Sequence, residues 1–576
     1  MILSPTDLIS SVTGYLSVPL IITTVLVAYL YVILKGGFVS DDLAGIASYD
    51  GKLQGREYGM ISRWLRYHIC GGNFPSDKKY PNGEPIPQGK IPARHHTLVV
   101  TVFTIACILN FFALKNIIGA KLALMAICLF IVHPVGVQAV AWCSGLGYPL
   151  SLFWIGAMLN IVQWAYPLNN TKLAIALPIF LVFQFLGIHA QFIPMMTCVI
   201  LWFLGYKLFA VIGAIISAIM LFDIIKQTIK LRKDEFEKQK MGQSTFLHWR
   251  KFMVAMKTLL YYLGLVVAPR KMGLYHKWGF HYSKDLERDD HLFWLGLAGF
   301  IGLIGIFTLC PIEPIRLGIL WFLAFSVIFW NWVTIQQFVT ERYIFIPTLG
   351  FALIVSYITQ NHFWIYSLIF GLYLCRTWVH LPTYDNELRF YQSNHWNFQD
   401  SEVALGNLGV TYINAGMEGT ALDTWNVATQ INGDYDVPWY NIFSTYRTKA
   451  VMAIQHGRYM EGIQNMQIAL PYMEKVLSCK VCHFPDIWAK ERNQLKFAIA
   501  NPQLIFQEEM ERLNKLAIEY SLMKLQAQTK ERAQEVEQSI INNQKQIESL
   551  SLFMTSNGIP LNNNNGFMQK LYKKEM

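Results

Sequence analysis

The chain of 576 residues is 53% hydrophobic and 14% aromatic but only 15% charged, with a mean hydropathy of +0.30. Its apolar residues fall in runs near the ~20 that cross hydrocarbon, not in amphipathic stripes, which excludes an ordinary soluble globule. The net charge of +10 suits anionic headgroups or lipid phosphates; the basic residues sit between apolar runs, which argues against a nucleic-acid partner.

The first apolar segment lacks a basic leader and a small-residue cleavage site, so it is expected to stay as an anchor over 18–34. A loop over 35–95 follows, too long for a simple connection. It opens on Gly36-Gly37-Phe38-Val39-Ser40-Asp41-Asp42-Leu43. Further spans are expected at 96–114, 120–132 and 147–164, then in a block over 171–225 broken at His189-Ala190-Gln191 and Gly205-Tyr206-Lys207. A basic loop over 226–290 encloses a semi-apolar patch at 258–269. Spans at 291–309, 315–330, 343–358 and 363–378 bring the total to about eleven, or twelve if the patch crosses. The basic run from Lys226 to Lys251 would by its charge favour the cytoplasmic side, a rule that weakens in long loops.

The fold class expected is therefore all-α: a polytopic membrane domain over 1–380 with a helical appendage. Residues 403–470 have amphipathic helical spacing and contain Leu408-Gly409-Val410-Thr411-Tyr412, then Gly416 and Ala421, the residue order of a tetratricopeptide (TPR) helix pair. Gly457-Arg458-Tyr459 echoes the Gly416 turn 41 residues later, which requires an insertion of about seven. This predicts a TPR-like domain over 381–500. Residues 501–555 read as one long helix with a broken 3–4 seam, possible material for a coiled coil and an oligomer. A disordered tail is expected over 556–576, with four consecutive asparagines from Asn562.

Several stretches together resemble the GT-C membrane glycosyltransferases, specifically the transmembrane and TPR O-mannosyltransferases and their bacterial relatives. The stretch Gly37 to Ile46 looks like that family's first-loop acidic motif. His133-Pro134-Val135-Gly136-Val137-Gln138-Ala139-Val140-Ala141-Trp142-Cys143-Ser144-Gly145 is similar to its His-Pro…Ala-Val-Ala-Trp-x-Ser-Gly signature. Tyr261 to Pro269 resembles the segment before its late lumenal loop, and Glu341-Arg342-Tyr343-Ile344-Phe345-Ile346-Pro347 its Glu-Arg-Tyr motif. The resemblance implies a donor sugar on a polyprenyl phosphate, an acceptor protein docked by the TPR-like domain, and an extracytoplasmic site in the bacterial inner membrane or the endoplasmic reticulum. It also sets the basic loop on the catalytic side.

Such a transfer needs a base for the acceptor hydroxyl and cationic groups for the leaving phosphate. Asp41 and Asp42 are the candidates for the base and its hydrogen-bond partner. Arg342, helped by His133 or Lys271, is the candidate phosphate holder, since a guanidinium presents a planar fork. Glu341 is a possible ion-pair partner for Arg342, and His96 resembles the family's loop-to-span histidine, with His95 beside it. The chain departs from its relatives in two places. Leu146-Gly147-Tyr148-Pro149 stands where they carry an Arg and then an Asp, and Ile188-His189-Ala190-Gln191 where they carry Ser-Lys-Glu. His189 and Gln191 are candidate replacements for those polar contacts.

Cys479-Lys480-Val481-Cys482-His483 satisfies the c-type haem attachment pattern and equally suits a local disulfide, free thiols or half a zinc site. No nucleotide-binding glycine loop, zinc-protease helix or nucleophile elbow occurs, and no acidic metal cluster, so a metal-independent reaction is expected. Two other functions fit the composition: a non-catalytic scaffold that recruits partners through repeats and coiled coil, and a transferase acting on a glycolipid.

Overall fold

The computed structural model describes residues 5–47, 49, 60–79, 83–190, 193–220, 249–274, 290–332, 339–479, 482–526 and 530–559. The described residues are helical except for loops and one antiparallel ribbon, β1 (Pro75–Lys79) with β2 (Pro85–Pro87). Two compact units divide them, one running to Thr411 and the other starting at Tyr412.

The first unit contains α1 (Pro5–Lys35), α2 (Met60–Ile69), α3 (Pro92–Ile118), α4 (Ala120–Val132), α5 (Gly136–Ala141), α6 (Gly147–Ala165), α7 (Asn170–Ala190) and α8 (Thr197–Phe203). It continues through α9 (Lys207–Met220), α10 (Trp249–Val267), α11 (Asp290–Leu309), α12 (Glu313–Ser326), α13 (Pro347–Thr359), α14 (Phe363–His380) and α15 (Glu387–Asn397). Among the described residues five segments are long and apolar enough to cross a membrane: Leu16–Lys35, Pro92–Ile118, Cys143–Ala165, Asn170–Gly187 and His291–Leu309. Their outer faces carry exposed apolar side chains, such as Trp294, Leu295, Ile301 and Leu309 on α11, which suits a hydrocarbon surround.

Side-chain amides, buried or half-buried, tie these helices together. Asn110 on α3 donates to the Leu152 carbonyl (2.9 Å), while Asn160 and Gln163 on α6 donate to the carbonyls of Leu109 (2.8 Å) and Ala113 (2.9 Å). Each amide finds a backbone acceptor, as a polar group in an apolar interior must. The pairing sets α3 and α6 side by side in the same direction. Their N-termini, near His96 and Cys143, share one end of the unit and their C-termini, near Asn116 and Gln163, the other.

The first unit extends past the expected boundary at 380. Gly37 N donates to the Tyr384 carbonyl (3.0 Å), Leu274 N to Asn394 Oδ1, and Asn397 Nδ2 to the Met272 carbonyl (2.9 Å). These bonds draw the turn after α14 and all of α15 into the body that carries the acidic loop.

The second unit is built from α17 (Glu418–Ile431), α18 (Asp436–Gln455), α19 (Tyr459–Ser478), α20 (Pro485–Ala500), α21 (Pro502–Gln526) and α22 (Lys530–Ser556). Its α17 follows α16 (Glu402–Asn414), most of which lies in the first unit. Gly416 and Gly457 turn the chain between α16 and α17 and between α18 and α19, at φ of 74° and 77°. A side chain resists that left-handed conformation, which explains why both turns carry glycine. α18 is 20 residues long against 13 for α16.

The single long helix expected over 501–555 is instead two. α21 and α22 fold back on each other antiparallel: Asn543 Nδ2 donates to the Leu513 carbonyl (2.8 Å), and Lys524 pairs with Glu537 (3.0 Å). Leu513, Leu550 and Met554 from the seam enter a core with Phe443, Tyr459, Met466 and Phe506. Leu513, Val536 and Leu550 of that seam are buried within the chain, whereas Met523 stays exposed. All but the first few residues of the expected tail from 556 lie outside the described residues.

Candidate functional site

α1 ends at Lys35, and the next two residues must lie close against other parts of the chain. A Cβ on Gly36 would come within 2.7 Å of His96 Nε2, and one on Gly37 within 2.3 Å of the Asp385 carbonyl oxygen. Only glycine fits there. Ser40 then takes a left-handed conformation (φ 52°), an uncommon state for a residue with a side chain, and a π-helical turn follows at Leu43–Ala47. This reversal sends the two adjacent carboxylates into different surroundings. Asp42 is fully buried and Asp41 is exposed.

Asp42 is a staple. Its Oδ1 accepts from Ser144 N (2.7 Å) and Ser144 Oγ (2.5 Å), and its Oδ2 from Val39 N (3.3 Å). Burial lifts its carboxyl from the usual range to about 6, opposed by the Ser144 and Val39 donors and by the Arg66 charge. Trp142 makes a second bridge, its Nε1 donating to the Val39 carbonyl (3.2 Å). His96 makes a third: its Nε2 donates to the Gly37 carbonyl (3.1 Å), and the Cys143 thiol lies 3.5 Å from its ring nitrogens. The acidic loop is thus fastened to the Trp142-Cys143-Ser144 corner between α5 and α6.

The same tryptophan carries Arg342, whose guanidinium lies 4.8 Å from the Trp142 ring centroid and 5.4 Å from that of Tyr343. Gln138 Oε1 fixes the backbone beneath it by accepting from Arg342 N (2.8 Å) and from Thr340 Oγ1. The hydroxyls of Tyr148 and Tyr343 bond the guanidinium. Burial works against its charge, but these phenols and the Asp41 carboxylate outweigh that and raise its pKa. Asp41 thus lies within electrostatic reach of the Arg342 guanidinium.

The remaining candidates divide. Glu341, read from sequence as a partner for Arg342, is fully buried and accepts from Gly273 N (2.6 Å). It anchors a segment that also carries Lys271, which is exposed, and that Arg376 clasps through the carbonyls of Pro269 (3.1 Å) and Arg270 (2.7 Å). His133 has both ring nitrogens engaged: Val135 N donates to Nδ1 (3.3 Å), so Nε2 carries the proton it gives to the Val266 carbonyl (2.9 Å). Buried against Tyr373 and Phe351, it braces the start of the His-Pro turn and has no donor left for a phosphate. His189 lies on α7, and Gln191 falls outside the described residues.

No family model, curated protein or solved structure matches this chain.

The geometry adds five residues to those singled out from sequence: Gln138, Trp142, Ser144, Tyr148 and Arg66. Three of them stand inside the His-Pro…Trp-x-Ser-Gly stretch, so the signal was present without roles attached. Tyr148 looked like the loss of a charged partner; in the fold its phenol meets Arg342 instead.

In the second unit Cys479 and Cys482 are buried and not bonded to each other. His483 is tied to Asp436, which accepts from its Nδ1 (2.6 Å) and its backbone N (2.5 Å). Burial, with Asp436 and Cys482 nearby, pushes the Cys479 thiol up to about 12. Cys482 packs in the core beside Trp488 and Met473, and Cys479 Sγ donates to the Lys475 carbonyl (3.1 Å).

Proposed function

We propose that the chain is an integral-membrane GT-C-type glycosyltransferase that moves a sugar from a polyprenyl-phosphate donor to Ser or Thr hydroxyls outside the cytoplasm. The observation that carries this reading is an exposed carboxylate, Asp41, on the loop that Asp42 and Val39 fasten to Ser144 and Trp142, within electrostatic reach of Arg342, whose guanidinium lies over the Trp142 ring. Asp41 takes the acceptor proton. Asp42 holds the loop in place, and Arg342 receives the charge that develops on the leaving phosphate. Lys271, exposed on the clasped segment, is the remaining candidate phosphate contact.

The finer architecture belongs to the same reading. We take the helices as eleven crossings, with α10 entering the bilayer without traversing it, and the α16–α17 and α18–α19 pairs as TPR-like acceptor-docking hairpins. The short connections at 119, 166–169, 204–206, 310–312 and 360–362 are flanked by Lys115, Lys121, Lys172, Lys207 and Arg316 against Glu313 alone, which supports a cytoplasmic position for that end. The long connections and Asp41 then face outward.

The test is intact-protein mass spectrometry of exported proteins from cells carrying wild type, Asp41→Asn, or no copy of the gene. Loss of hexose on Ser/Thr in the deletion, and a fall of about 100-fold or more in transfer by Asp41→Asn, is the expected result. Unchanged transfer by that variant sinks the general-base assignment and leaves the non-catalytic scaffold as the better account.

A further inference from the structure

α3 and α6 both start at the acidic corner and end at a second polar site. From His96 to Asn116 is twenty residues of continuous helix, about 30 Å at 1.5 Å per residue, close to the hydrocarbon thickness of a bilayer. At that far end lies a cavity of about 460 Å³ lined by Asn116, Phe203, Tyr206, Glu313, Arg316 and Leu317. It is formed where α3, α8 and α12 terminate or begin, and it shares no residue with the site around Trp142.

Arg316 is built into this cavity. Its guanidinium lies 5.3 Å from the ring centroids of both Phe203 and Phe307, and its Nε donates to the Phe307 carbonyl (3.1 Å). Those contacts fix the plane of the fork, and among the described residues its two terminal nitrogens have no hydrogen-bond partner. Glu313 stands one helical turn earlier on α12, and no ion pair joins the two among the described residues. A half-buried cation and a free carboxylate side by side, each unneutralised, suit a ligand that itself carries both charges. Exposed Trp202, Leu208 and Leu309 flank the site and give acyl chains an apolar surface.

We propose that this cavity binds the headgroup of an amine-bearing phospholipid from the leaflet opposite the acidic loop. Arg316 grips the phosphate through its planar fork, Glu313 accepts the ammonium, and the lipid tails lie along α8 and α11. A volume of about 460 Å³ falls within the ~300–1,000 Å³ of small-ligand sites and holds a phosphoethanolamine group with space for water. The assignment rests on the reading that these helices cross a bilayer, not on the transfer reaction.

Native mass spectrometry of the full-length protein in detergent, supplied in turn with phosphatidylethanolamine, phosphatidylcholine and phosphatidylglycerol, tests it. One phosphatidylethanolamine should be retained in preference to the other two. Arg316→Gln should lower that retention about tenfold, the loss of one charge-assisted contact pair. Glu313→Gln, a change at an exposed position that does not threaten folding, should erase the preference for ethanolamine over glycerol. Equal retention by wild type and both variants overturns the proposal. Displacement of the lipid by soluble phosphoethanolamine also overturns it, because the cavity would then take a free metabolite. No transfer assay enters, so failure here leaves the glycosyltransferase reading standing, and loss of that reading leaves lipid retention to be measured.

Discussion

Because Asp42 is held by Ser144 and Val39 at zero exposure, removing its charge while keeping its shape isolates what the charge does to the fold. Its carboxyl titrates near 6 in the folded chain against 3.8 for the free group, so the fold favours the protonated form. That contribution is fully present below the unfolded value and is lost as pH rises through the folded one. The gap between the two values corresponds to about 3 kcal/mol. Wild type should therefore lose stability between pH ~4 and ~6 through this group, and Asp42→Asn should flatten that part of the profile. Thermal unfolding in detergent across the interval reads it directly; a slope that persists in the variant assigns the effect elsewhere. The acidic pair itself was legible in sequence. Which carboxylate is buried was not, because the left-handed Ser40 decides it and a serine announces no such turn. Tyr148 was missed for a related reason: a phenol standing where the resembled motif carries charge looks like a loss until Arg342 is seen beside it.

Elements meet at this site through a glycine pair. The Gly36-Gly37 step brings the end of α1 against His96 and the turn at Leu381–Tyr384, close enough for Gly37 N to bond the Tyr384 carbonyl. A methyl group at 37 would sit 2.3 Å from a backbone oxygen, and backbone cannot give way as a side-chain tip can. Gly37→Ala should destabilise the protein by roughly 1–3 kcal/mol, the range for overpacking that forces a backbone shift, and should weaken any activity that needs Asp41 in place. Gly45, eight residues on, has open space where its Cβ would go, so Gly45→Ala is the matched control and should leave the melting temperature nearly unchanged. Equal effects from the two would show that the close approach carries no weight. Hydropathy runs predicted most of the apolar helices well, because their composition determines where they can be stable. The α21–α22 fold-back was not readable. Residues 527–529 hold neither glycine nor proline, and a 3–4 seam looks the same whether its partner is another chain or the chain's own return.

At the scale of the molecule the charge distribution and the connection lengths point the same way. The end of the first unit where Asn116, Gln163, Tyr206 and Arg316 gather has brief connections flanked mostly by cations; the other end carries the acidic loop and Arg342. Short basic loops are the ones that fix orientation, whereas the basic run after α9 is long and exerts less pull. From the loop at Gly83 to the region at Asp400 the proposed path crosses ten times, an even number, and the Gly37–Tyr384 bond already holds parts of the two segments together. Reporters inserted at Gly83 and Asp400 should therefore lie on one side of the membrane, and reporters at Gly205 and Pro311 on the other. Alkaline phosphatase activity at the first two sites with fluorescent protein folding at the second two is the expected pattern. If Gly83 and Asp400 reported opposite sides, a crossing would have been miscounted between them. The acceptor-docking hairpins would then be cut off from Asp41, and transfer to a docked protein would be impossible in the form proposed.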